Sequence, residues 1–169
     1  MKTTIKIFSL AIAIIGFSAT SFAQVSATAT ASGTIVTPIA ISKTVDMNFG
    51  NVAVSSSAGT VVLATAGTRS ATGGVTLPAT TGTIAAAEFT VTGQAGYTYA
   101  ITLPSTATTV TSGSNNMTVN AFTSNPGGTG VLTSGTQTLK VGATLNVGAS
   151  QAAGTYTSST PFTVTVNYN

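Results

Sequence analysis

The feature that most limits what this chain can fold into is an alternation of period two, most regular in its final stretch, STPFTVTVNYN. There Phe162, Val164, Val166 and Tyr168 interleave with Thr163, Thr165, Asn167 and Asn169. Successive side chains of a strand point to opposite faces, so this spacing makes one face for burial and one for water. Leu139, Val141, Ala143, Leu145 and Val147 form the longest such run, and Tyr97, Tyr99, Ile101 and Leu103 form another that ends at Pro104. Shorter candidates are Ile39–Ile41, Met47–Val52, Val61–Leu63, Val75–Leu77 and Met117–Ala121, the last closed by Asn125-Pro126-Gly127-Gly128. Phe89–Thr92 and Tyr97–Leu103 flank the turn sequence Gly93-Gln94-Ala95-Gly96 and read as a hairpin. The Gly- and Ser-rich pieces Ser55–Gly59 and Thr111–Asn116 read as surface loops. No helical periodicity survives past the first 23 residues, so the expected fold is all-β, an antiparallel β-sandwich of about 8 to 10 short strands.

Composition agrees with this reading. Thr occurs 33 times after Ala23, beside abundant Val, Ala and Gly, and β-branched residues suit a pleated surface better than a helix. The chain is 43% hydrophobic with only 4% charged residues, so it has enough apolar surface to fold. No repeat of solenoid length is present. One domain accounts for the length.

The first residues carry the marks of an export signal. Lys2 and Lys6 supply a positive region, Ile5–Phe17 is mostly apolar, and Ser21-Phe22-Ala23 predicts cleavage before Gln24. A membrane helix fits less well, because Ser9, Gly16, Ser18 and Thr20 interrupt a run that would need about 20 apolar residues. The expected organisation is a signal peptide over 1–23 and a single β-sandwich domain over 24–169. The mature protein would have no integral membrane helix, and its expected location is the periplasm, the cell surface or the extracellular space.

Cleavage would also change the charge. The whole chain has a net charge of +3, but Lys2 and Lys6 leave with the signal. Lys43, Arg69 and Lys140 then stand against Asp46 and Glu88. Three scattered cations cannot neutralise a run of phosphates, so nucleic acid is excluded as a partner.

The chemistry is sparse. Cysteine and histidine are both absent, which removes disulfides, the usual general base and the commonest metal ligand. Asp46 and Glu88 fall in different segments, and the ordinary role for them is to solvate loops or to pair with Lys43 or Arg69. The serines have no base to activate them. An isopeptide from Lys43 or Lys140 to an Asn near Asp46 or Glu88 is conceivable, but exposed loop lysines are the simpler reading. The protein is therefore expected not to be an enzyme, with no catalytic residue, no metal site and no cofactor.

Four blocks resemble a known family. VTPIAISKTVDMNFGNV at 36–52, GYTYAITLP at 96–104, LKVGATLNV at 139–147 and GTYTSSTPFTVTVNYN at 154–169 are similar, in order, to domain-of-unknown-function family 4402. That family consists of exported bacterial proteins that are nearly all one such domain. The resemblance implies an Ig-like β fold and export, and it implies no catalytic residue. More loosely, the final strand is similar to that of chaperone-usher pilus subunits, which carry a penultimate Tyr, here Tyr168. The chain differs from them in lacking a Cys pair.

The function expected from these features is that of an exported cell-surface structural protein, a fimbrial or pilus-like subunit assembling by β-strand addition. Its partners would be further copies of itself, in an oligomer or filament, or other surface proteins. A monomeric β-sandwich adhesin or carbohydrate-binding module is the main alternative, and a small outer-membrane β-barrel a lesser one. Two stretches stand out, one for the core and one for assembly. Phe162, Val164, Val166 and Tyr168 are expected to insert into the core as its terminal strand. Val25, Ala27, Ala29 and Ala31, alternating with Ser26, Thr28, Thr30 and Ser32, are a candidate assembly strand. That stretch would serve either as an arm joining a neighbour or as the first strand of its own domain. Circular dichroism of the protein starting at Gln24 should show β structure alone. Trypsin should cut it slowly, having only Lys43, Arg69 and Lys140 to attack, and a helical spectrum would reject the fold.

Overall fold

The computed structural model describes residues 23–169, so all of the expected signal segment but Ala23 lies outside the described residues. No helix occurs among them. The strands are β1 (Ala40–Val45), β2 (Asn48–Phe49), β3 (Ala53–Leu63), β4 (Arg69–Thr76), β5 (Ile84–Ala85) and β6 (Ala87–Thr92). They continue as β7 (Thr98–Thr102), β8 (Thr108–Ser112), β9 (Asn115–Asn125), β10 (Thr129–Val131), β11 (Thr136–Val147) and β12 (Thr165–Tyr168). The count of twelve exceeds the expected range partly because β2 and β5 are two-residue strands that pair only with each other. All pairings are antiparallel.

One sheet has seven strands, with β1, β6, β11, β3 and β4 in order and β9 linking β8 to β11. A second has three, in the order β10, β7, β12. Alternation decides what lies between them. Ala87 and Val91 of β6, with Leu139 and Val141 of β11, meet Tyr99 of β7, Val166 of β12, and Val164 and Leu132. This cluster joins the two sheets into a sandwich. Val61, Val75 and Val119 close around Ala143, Leu145 and Val147 in a second cluster. The five alternating residues of β11 thus serve both clusters in turn.

Gly142 is where β11 changes neighbour. Up to Val141 it pairs with β6, and from Ala143 it pairs with β3 along the same edge. The end of β3 must therefore come in beside Gly142. A Cβ placed there would overlap the Leu63 carbonyl oxygen and lie 3.0 Å from both the Ala64 carbonyl carbon and the Thr65 nitrogen. All three are backbone atoms, which cannot turn aside. On the other edge, pairing with β9 steps from Gly142–Thr123 to Thr144–Asn120, a bulge that contains Ala121 at φ 48°. Such bulges bend a strand and add twist, as a strand serving two packing surfaces requires.

Three expectations need correction. Phe89–Thr92 and Tyr97–Leu103 do not form a hairpin, because β6 and β7 belong to different sheets. Gly93 donates its N–H to the Gly135 carbonyl at 2.9 Å and Gly96 donates to that of Leu132 at 2.6 Å. The turn is thereby held to the loop before β11 and carries the chain from one sheet across to the other. Ser55–Gly59 is part of β3, and Thr111–Asn116 is the end of β8, a tight turn and the start of β9. Small polar residues there mark an exposed strand and a hairpin, not open loops. Finally, Val25–Gly33 forms no strand. The compact unit carrying every described strand is Ile35–Asn169. Residues 23–34, described by themselves, are exposed throughout, with Val25 at 94%. Alternation alone does not make a strand, since the backbone also needs a ladder to bond to.

Replacing Gly142 by Ala should lower stability by about 1–3 kcal/mol, the usual cost of overpacking a filled site. Gly33→Ala, where nothing lies within 4 Å, should leave the denaturant midpoint unchanged. Equal midpoints for the two variants would reject the role given to Gly142.

Candidate functional site

The charged side chains of the domain are occupied with one another or with backbone. Lys43 Nζ lies 2.6 Å from Asp46 Oδ1, and Lys140 Nζ lies 2.7 Å from Glu88 Oε1, across the β11–β6 ladder. Both lysines are in strands, not loops. These pairs are substantially exposed, so each adds little to stability. Arg69 donates to the Phe49 carbonyl and, at 2.9 Å, to that of Asn51, fastening β4 to the β2 region. Among the described residues no group of three or more His, Cys, Asp or Glu could hold a metal.

One groove of about 510 Å³ opens between Leu103–Thr109 and Ser159–Thr163. Its origin is local. The β7–β12 ladder stops at Thr102–Thr165, and beyond it Pro104 and Pro161 have no N–H with which to continue. The two segments diverge over Phe162, with hydroxyls along the walls and no charged residue. Nor do the tyrosines gather there. Tyr99 is fully buried, a desolvation that raises its phenol above the ordinary 10.0, and it donates to Gln137 Oε1 at 2.9 Å. Tyr156 donates to the Ala152 carbonyl at 2.7 Å.

The remaining site is β12 and its surroundings. Val164 and Val166 are each 8% exposed, and Phe162 packs against Phe122 and Phe89 with ring centroids 4.9 and 6.5 Å away. Tyr168 is half-buried in the same cluster. Its hydroxyl accepts the Gln94 N–H at 2.6 Å and donates to the Thr37 carbonyl at 2.7 Å. Thr37 in turn donates its N–H and its hydroxyl to Gln94 Oε1, each at 3.3 Å. Gly93 makes room, because a Cβ there would overlap the Tyr168 hydroxyl. One phenol therefore joins β12, the crossing turn and the residue that leads into β1. The sequence reading placed Tyr168 in the core row but missed these partners; Gly93 beside Gln94 was the available signal.

The two edges of β12 differ. Its inner edge pairs with β7, whereas among the described residues nothing pairs with the outer one. Asn169 donates its N–H to the Thr98 carbonyl at 3.4 Å, which fixes the alternation. The N–H groups of Thr165 and Asn167 face β7, and those of Val166 and Tyr168 point outward. Val25, Ala27, Ala29 and Ala31, the candidate assembly strand, are exposed and precede the compact unit Ile35–Asn169.

The family model described as Domain of unknown function (DUF4402) matches residues 39–168. The chain belongs to this family. The DUF4402 match takes in every described strand and includes Tyr168, while Thr37 and residues 23–34 precede it. No curated protein and no solved structure matches the chain. In this DUF4402 domain, Tyr168→Phe keeps the ring and removes both hydroxyl bonds, so stability should fall by about 1–2 kcal/mol. Hydrogen exchange should speed up at the Gln94 amide; an unchanged melt and unchanged exchange would reject the node.

Proposed function

We propose that this protein is an exported cell-surface structural subunit, fimbrial or pilus-like, that assembles by β-strand addition. The observation that carries the proposal is residues 24–34, which alternate as a strand does yet stand exposed and without strand structure. A segment with strand character and no ladder can gain one from an open edge of a neighbour, where backbone bonds supply affinity and the apolar row supplies register. Export rests on the sequence pattern of residues 1–23. The near-neutral domain, with its charges paired or bonded to backbone, lets copies approach without strong repulsion.

The groove over Phe162 favours a second reading, a monomeric adhesin or carbohydrate-binding module. Against it, the groove has only Phe162 as an aromatic surface, and the tyrosines serve elsewhere. Separate sheets with open edges around filled cores count against the barrel.

Size-exclusion chromatography with light scattering should separate the readings. Protein starting at Gln24 should form oligomers whose mass grows with concentration. Protein starting at Thr34, which keeps every described strand, should be a monomer with the same β spectrum and melt. If the longer protein stays monomeric at high concentration, assembly through this arm is rejected and the binding module becomes the better reading.

A further inference from the structure

We infer that the acceptor for residues 25–33 is the outer edge of β12 in a second copy of the chain, with the two strands antiparallel; this rests on the assembly reading above. The argument is a comparison of edges. An exposed sheet edge invites pairing, and proteins guard against it with charge, bulges, glycine, brevity or a covering segment. Among the described residues the two larger sheets have five outer edges, four of them guarded in one of these ways, and β2 and β5, of two residues each, are guarded by brevity. β1 carries Lys43 and a register shift between Lys43 and Val45. β4 carries Arg69, Gly73 and Gly74, and its ladder with β3 shifts between Val54 and Gly59. β8 is covered at Thr111, which exchanges backbone bonds of 2.9 and 3.1 Å with Thr157. β10 is three residues long with Gly130 at its centre. β12 is Thr-Val-Asn-Tyr, with no charge, glycine, proline or register shift.

The chemistry of the two strands matches. The outward N–H groups of Val166 and Tyr168 would bond to carbonyls of the incoming strand. Its row of Val25, Ala27, Ala29 and Ala31 would turn toward Tyr168 and toward Ile39 and Ile41, which are only half-buried in the first core cluster. Its Ser and Thr row would continue the exposed face of Thr165 and Asn167.

Chain direction explains why the occupant is a second copy. Thr37 is held beside Tyr168, at the far end of β12. The same chain's preceding residues, laid along that edge, would have to run parallel to β12. A neighbour can present them antiparallel, the more stable arrangement.

The absence of cysteine makes a direct test possible. Thr30→Cys combined with Asn167→Cys should, under mild oxidation of thiols to disulfides, give a covalent ladder on non-reducing gels. Thr30→Cys combined with Thr72→Cys, on β4, should give monomers. In the unmodified assembly the amides of Val166 and Tyr168 should exchange at least tenfold more slowly than in protein starting at Thr34. A ladder through Thr72 instead, or oligomers in which these two amides exchange as fast as in monomers, would overturn the β12 acceptor and leave assembly standing. Protein that stays monomeric at every concentration would overturn both.

Discussion

Everything in this domain depends on β11 being able to change partner at Gly142. Without that step β6 and β3 could not share one edge of the same strand, and only side chains such as Met47 and Phe122, which pack against both core clusters, would join the two. No disulfide is available to hold them together, because the chain has no cysteine. Cohesion must come from burial and from backbone ladders. Leu139 and Val141 work in one cluster and Ala143, Leu145 and Val147 in the other, so a single strand transmits the packing of each to its neighbour. The bulge at Ala121 lies at the same level: β9 follows β11 along its opposite edge and shifts register just past Gly142.

What the sequence made legible was the local period, and what it hid was the partner. Tyr97, the first residue of Tyr97–Leu103, lies before β7 and is 45% exposed, but Leu139–Val147 does form an alternating buried row, because side-chain direction in a strand is a property of the strand alone. Pairing is not. Gly93–Gly96 looked like a hairpin turn, but its amides bond to Gly135 and Leu132, some forty residues on, and no local pattern encodes that distance. Lys43 with Asp46 was readable from proximity, while Lys140 with Glu88 required knowing that β11 lies beside β6. The Tyr168 node is the extreme case, since the phenol and the Thr37 carbonyl are 131 positions apart. Val25–Gly33 has the period of a strand but no strand structure, which removes the alternative of a first strand within its own domain.

Charge scarcity and edge protection are two sides of one constraint. A chain with 4% charged residues has little long-range repulsion to keep copies apart. Its broad outer face is instead made neutral and polar. Thr72, Thr60, Asn146, Thr118 and Thr109 fall in one register row across five strands, and Thr60 and Thr72 bond through their hydroxyls at 2.8 Å. Asn146 donates to the Thr118 carbonyl at 3.2 Å and to Asn120 Oδ1 at 3.1 Å. Such a face satisfies its own groups and offers water the rest, so it has no strong reason to adhere to another. Discrimination between productive and unproductive contact then falls to the edges, where backbone groups are unpaired. Charge is sparse there, at Lys43 on β1 and Arg69 on β4, while β4 also has its glycines and β8 the Thr157 crossing. A surface built this way leaves few edges open to strand pairing, which is what the proposed strand addition would need.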